Sequence, residues 1–237
     1  ESDLKYYPST LVTGLKTWSE KTVTRNEASV VIPEMINGYH VTEIGESAFE
    51  NCSALTSVAI PDSVLTIGDS AFRHCFSLSS LSIGNSVTYI GDDAFRACFA
   101  LTSVEIPSSV KSMGKRVFNW CKNLTYVKVS TERIDDQFHL CSSLKTVELA
   151  DGVKVIGARA FTGGEGEFWQ PDGTVIKFSQ TNTSEIIMAD SVTTIEEEAF
   201  SHTTNLTELK LGKGLKSIGS YAFSSCTNLV KLELNDG

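Results

Sequence analysis

Basic residues are in deficit: 20 lysines and arginines face 29 aspartates and glutamates, for a formal charge of −9. So acidic a chain lacks the basic stripe that meets phosphates, and neither nucleic-acid recognition nor docking on an anionic membrane surface is expected. Long hydrophobic runs are also missing. Nothing approaches the roughly 18 apolar residues of a spanning helix, so no membrane insertion is expected. The only histidines are His40, His74, His139 and His202. None stands in metal-ligand spacing or beside an obvious Ser or Asp partner, and no Cys-x-x-Cys suggests zinc. No glycine-rich phosphate cradle is present. The chain opens at Glu1 with no charged n-region or apolar h-region, as after removal of a targeting segment or excision from a longer protein. These absences predict no cofactor, no metal and no catalytic residue.

What the chain does have is a period. Val41, Val64, Val87 and Val110 are 23 residues apart. The same step relates Ile44, Ile67, Ile90 and Met113, then Phe49, Phe72, Phe95 and Phe118, and likewise the columns of Cys52 and Leu55. Phe118 to Phe138 is only 20 residues, so the fifth unit is three short, whereas Val153 to Val192 spans 39, one unit plus 16 inserted residues. Eight units thus follow a leader: residues 1–40 read as an N-terminal cap and partial first repeat, and 41–237 as the repeat array. Within a unit, Leu81 and Ile83 keep strand spacing, while Ile67, Ala71, Phe72 and Cys75 keep the three- and four-residue spacing of a short helix or 3₁₀ turn. Asp69, with Glu46, Asp92 and Glu197 in the same slot, is placed to favour the start of such a helix. One unit cannot bury its own apolar side, so the units must stack on one continuous core, about 35–40 Å long for eight layers. Pro33, Pro61 and Pro107 follow an isoleucine just past the strand, where the missing N–H costs no ladder bond.

Segments 55–75 (LTSVAIPDSVLTIGDSAFRHC) and 101–121 (LTSVEIPSSVKSMGKRVFNWC) resemble the BspA-type branch of the leucine-rich repeats, and 30–52 resembles that family's opening unit with a longer strand-to-turn link. The resemblance covers about 30–237. It implies an α/β solenoid, a right-handed superhelix with a parallel sheet on the concave face and short helical or 3₁₀ turns on the convex face. It also implies a secreted or cell-surface bacterial protein, non-enzymatic, of a kind in which some members are adhesins, with a host extracellular protein or glycan as partner. Function is implied here only by association.

Residues 1–29 lie outside the repeat, with Tyr6, Tyr7, Leu11, Val12 and Val23 placed to make short strands covering the first coil. No polar cap follows Leu232 and Leu234, so either the natural protein continues or the last coil is open to end-to-end self-association. In the insertion near 162–178, Pro171-Asp172-Gly173 predicts a hairpin turn. That hairpin either folds against the solenoid or projects as a binding loop anchored by Trp169. The six cysteines share one column, which predicts inward-pointing free thiols rather than a disulfide framework. His74 and His139 read as solvent-facing turn residues, and the glycines after the column isoleucine as turn formers.

Solenoids usually bind through outward strand positions. One such slot runs Ala59, Ser82, Glu105, Lys128, Glu148, Ile187, Lys210 and Glu233; the slot before it runs Ser57, Ser80, Ser103, Tyr126, Thr146, Glu185, Glu208 and Lys231. Glu105, Lys128 and Glu148 suit either a stabilising charge ladder or, with Tyr126, a polar recognition strip. The candidate ligand-binding residues are therefore Tyr126, Lys128, Glu105, Glu148 and Trp169.

Overall fold

In the segment Ser103–Ile106, Val104 and Ile106 are buried while Ser103 and Glu105 are exposed, the alternation of a strand with one face on a core. The alternation recurs along the array up to the last described strand, Lys231–Leu234, which is exposed throughout, and it builds a long parallel sheet. The computed structural model describes residues 29–36, 38–162 and 183–234, together with the backbone of 166–169 and 175–178. The long sheet runs in three hydrogen-bonded sections: Ser29–Val31, Ser57–Ala59 and Ser80–Ser82; then Ser103–Ile106, Tyr126–Val129, Thr146–Leu149 and Glu185–Met188; then Glu208–Leu211 with Lys231–Leu234. A second set of parallel ladders, of two-residue strands from Glu43–Ile44 to Ser217–Ile218, forms another side of each coil. Its two runs of four strands part between Ser112–Met113 and Arg133–Ile134, where the fifth unit is three residues short.

The third side of each coil is not helical, and here the expectation fails. Among the described residues the only helix is a 3₁₀ turn, Asp136–Phe138, in the shortened unit. Elsewhere consecutive tight turns (Ala48 N–H to Gly45 O, Glu50 to Ser47, Cys52 to Phe49) alternate with bonds to the next coil (Ser47 N–H to Asp69 O, Phe49 to Ala71, Asn51 to Arg73). An α-helix would use those N–H groups internally; donating every second one outward forbids it. The chain turns instead through left-handed residues four apart, such as Ser70 (φ 55°) and His74 (φ 61°), or Arg116 (φ 56°) and Trp120 (φ 65°). None of the non-glycine residues in this conformation is β-branched, as the steric cost of φ > 0 requires.

Inside, Phe49, Phe72, Phe95, Phe118, Phe138, Phe161, Phe200 and Phe223 stack in one file, with ring centroids 4.8 to 5.6 Å apart. A continuous core of Val, Ile, Leu and Phe surrounds the file. All six cysteines are free, as expected, and all but Cys226 are buried. Cys75, Cys98, Cys121, Cys141 and Cys226 each direct the thiol to a phenylalanine carbonyl of the preceding coil, at 3.2 to 3.4 Å. Burial pushes the Cys121 thiol up to about 12 and Cys98 and Cys141 well above their ordinary value, which makes them inert.

The acidic slot also has a different cause from the one expected. Asp69 Oδ1 accepts the backbone N–H of Asp92, and Asp92 Oδ1 that of Lys115, both at 2.8 Å. These carboxylates clip one coil to the next rather than capping a helix. The glycines before them serve close approach: a Cβ on Gly91 would sit 2.3 Å from Asp69 Oδ1 and 2.5 Å from its backbone nitrogen. His74 and His139 are half-buried rather than solvent-facing, and burial lowers both their pKa values, His74 to about 4.

Ser29–Val31 pairs in parallel with Ser57–Ala59 and so heads the long sheet, while the longer link in the leader folds as a small antiparallel hairpin, Met35–Ile36 with Tyr39–His40. Of the cap expected over residues 1–29, residues 1–28 lie outside the described residues. The insertion does form the expected hairpin, with Gly166–Trp169 antiparallel to Val175–Phe178 and Trp169 in register with Val175.

Candidate functional site

The outer face of the long sheet is organised by strand alternation and register. Val127 and Val129 are buried in the core, which forces Tyr126 and Lys128 outward. Parallel pairing then sets Lys128 beside Glu105 on one side and Glu148 on the other, and Tyr126 between Ser103 and Thr146. Four of the five residues singled out in the sequence therefore share one surface. The fifth, Trp169, lies on the inserted hairpin, and its side chain is outside the described residues.

Glu148 is the hub of this surface. Its Oε2 accepts a 2.6 Å hydrogen bond from Tyr126 Oη, and its Oε1 lies 3.3 Å from Lys128 Nζ. The bond from Tyr126, and then Lys128, hold the Glu148 carboxyl below its usual range. Reciprocally, the bond to Glu148 raises the Tyr126 phenol to about 12. The phenol is thus fixed as a donor and the carboxylate as an acceptor, and neither is poised for acid–base chemistry near neutrality. The charge ladder forms on one side only: Lys128 pairs with Glu148, and among the described residues Glu105 makes no ion pair. Glu105 is the exposed, unshared carboxylate of the strip.

The strip changes character along the axis. Towards the start of the array it is small and hydroxyl-bearing, with Ser57 and Ser80 in register and Ser103 in the equivalent slot of the next coil. Beyond Glu148 come Ile187, 47% exposed, and the pair Thr146 Oγ1 to Glu185 Oε2 at 3.1 Å. At the far end Lys231 bridges Glu208 at 3.6 Å and Glu233 at 2.7 Å.

Elsewhere, a recess of about 630 Å³ lies along the break in the short ladders, between Asp92, Lys115, Asp136, Arg159 and Glu197. Its carboxylate Asp92 is committed to the backbone of Lys115. No group of three or more metal-ligating side chains exists among the described residues, and none of their helices is long and apolar enough to cross a membrane. Sequence reasoning missed the tie between Tyr126 and Glu148. The register that makes it was legible, but the reach of a phenol across one strand was not weighed.

The same coil geometry appears in solved bacterial structures. A leucine-rich repeat protein of T. pallidum is 25% identical, with 88% of this chain and 80% of that one covered and a TM-score of 0.58. One from Eubacterium ventriosum is 23% identical over 78% of this chain and 46% of that one, at a TM-score of 0.64. The pneumococcal vaccine antigen PcpA is 19% identical over 90% of this chain and 62% of its own, at 0.53. No curated protein matches the chain in sequence. A profile described as BspA type leucine-rich repeat region matches residues 42–165 and 176–237 in six copies. With most of its length covered by that profile, the chain belongs to the BspA-type leucine-rich repeat family.

Proposed function

We propose that the chain is a non-enzymatic binding module of a secreted or cell-surface bacterial protein, engaging a host extracellular protein or glycan through the outer face of its long sheet. The observation that carries this reading is the Tyr126–Glu148–Lys128 cluster with Glu105 beside it. It is a pre-organised set of one donor, one cation and two carboxylates on a rigid sheet, the polar constellation that fixes the orientation of a hydroxyl-rich or charged ligand. Family membership and the bacterial provenance of similar folds support the surface assignment. Purified chain, with Tyr126→Ala and Trp169→Ala variants, would be passed over immobilised fibronectin, fibrinogen and mucin glycans at physiological salt. Saturable binding lost in Tyr126→Ala at unchanged Tm supports the sheet face, and loss in Trp169→Ala alone moves the site to the hairpin. Binding unaffected by either change contradicts both assignments.

The last described coil favours a second reading, as a spacer or assembly unit. Val230, Leu232 and Leu234 there are 84%, 49% and 71% exposed, an apolar edge suited to a further coil or a second copy. Light scattering across a concentration series tests self-association; a strict monomer at high concentration excludes it.

A further inference from the structure

The last described coil leaves its core positions open. Leu232 and Leu234 stand in register with Leu209 and Leu211, which are 2% and 1% exposed, yet they are themselves 49% and 71% exposed. Ile218, in register with buried Ile195, is exposed as well. At the other end of the array the core is covered: Val41, Ile44, Phe49 and Leu55 are all buried. A second copy has no open first coil to set against this end, which disfavours a head-to-tail stack.

The backbone is open in the same direction. Lys231–Leu234 pairs on one side with Glu208–Leu211 and, among the described residues, with no strand on the other. The Lys231 N–H is spent on Thr207 O at 3.2 Å. Alternation along a strand turns the N–H and C=O of Leu232 the opposite way, to the free edge. Such an edge is a template for a further strand.

The side chains select which strand fits. A second copy of this strand keeps its leucines on the core face only if it runs antiparallel, about a two-fold axis perpendicular to the sheet. Parallel pairing of the two free edges would turn one copy's leucines outward. Charge then fixes the register. Pairing centred on Lys231 sets lysine against lysine, and pairing centred on Glu233 sets carboxylate against carboxylate. Pairing centred on Leu232 brings Lys231 opposite Glu233 of the partner subunit, and Glu233 opposite Lys231 of the partner subunit. Leu232 then meets Leu232 of the partner subunit, and the two exchange both backbone hydrogen bonds. Within one copy a single ammonium, that of Lys231, serves Glu208 at 3.6 Å and Glu233 at 2.7 Å. The second copy supplies Glu233 with another.

We propose that the chain forms a two-fold dimer, last coil to last coil, through antiparallel pairing of Lys231–Leu234 with the same strand of a second copy. The proposal rests on the assembly reading above and gives it a partner, a symmetry and a register. Because the axis is perpendicular to the sheet, both Tyr126–Glu148–Lys128 clusters come to one face of the joined sheet, a bivalent arrangement.

Sedimentation equilibrium of the 237-residue chain across a concentration series should show monomer and dimer and no larger species. Lys231→Glu and Glu233→Lys should each weaken the dimer about tenfold, and an equimolar mixture of the two should recover close to wild-type affinity, since each supplies the charge the other lacks. Under mild oxidation Leu232→Cys should give a covalent dimer. Wild type, whose thiols are buried or half-buried, and Ile187→Cys, on the outer sheet face, should not. A strict monomer at high concentration overturns the proposal and the assembly reading together, and leaves the edge to a strand of a different protein or coil. Self-association without recovery in the mixture, or without the Leu232→Cys cross-link, overturns this pairing alone, because the copies would then meet through another surface. None of these outcomes bears on the sheet-face reading, whose variants and ligands are separate.

Discussion

Glu148 holds two partners with one carboxylate, and its protonation therefore decides whether the surface cluster stays assembled. Its pKa is lowered, so the interaction is fully present above the ordinary glutamate value of 4.5 and is lost as pH falls through the lower, folded value. At the alkaline end, Tyr126 should release its proton near 12 rather than the ordinary 10. In Glu148→Gln, which removes the charge that holds the phenol, the ultraviolet phenolate transition of this tyrosine should move back towards the ordinary value. An unmoved transition would mean the bond at 2.6 Å does not form in solution. Single atoms also govern how closely coils approach. Gly91 has ordinary backbone angles, so alanine there is excluded by space and not by conformation. Gly91→Ala should cost about 1–3 kcal/mol of stability, read by urea unfolding, because its Cβ meets both the carboxylate and the backbone of residue 69.

Among elements, the strands were legible in the sequence because their two-residue alternation has no rival explanation. Val104 and Ile106 in, Ser103 and Glu105 out, read the same in the chain and in the fold. The turns were not legible. Ile67, Ala71, Phe72 and Cys75 show helix-like spacing, yet the same spacing arises when tight turns alternate with bonds to the next coil, and no single unit reveals where its N–H groups go. The acidic slot was misread for the same reason, since Asp69 serves a backbone amide 23 residues away. The site was half legible: register placed Tyr126, Lys128, Glu105 and Glu148 together, whereas the bond from Tyr126 to Glu148 depends on side-chain reach that the spacing does not encode. Gln137 gave no signal at all, though it repairs the break in the short ladders. It is 2% exposed; its Oε1 accepts the Asp135 N–H and its Nε2 donates to Gly114 O at 3.0 Å. Gln137→Ala should strand both backbone groups and cost about 2–4 kcal/mol, with a broadened urea transition as coils on either side of the break uncouple. A sharp, unshifted transition would show that the break needs no repair.

For the whole molecule, what matters is that coils touch mainly their neighbours. Among the described residues, the Arg133 guanidinium reaches past a coil, making two 2.7 Å bonds to Glu196 over Gly157, whose missing side chain leaves the passage free. This fork ties the coils on either side of the one that carries the insertion. The bonds within a coil and those between coils also differ in what a mechanical load does to them. Coils are fastened to their neighbours along up to three lines of backbone hydrogen bonds, in the long sheet, the short ladders and the turns, each line being interrupted in places. A protein tethered at its ends and pulled along its axis, as on a cell in flowing fluid, would part those lines one coil at a time. Stretched in a single-molecule force experiment, it should give a sawtooth in which each regular coil of 23 residues releases about 80 Å of chain. The short unit of 20 and the long one of 39 should yield smaller and larger steps. A molecule of this build would act as a shock absorber, shedding length under load while the coils still folded keep their grip.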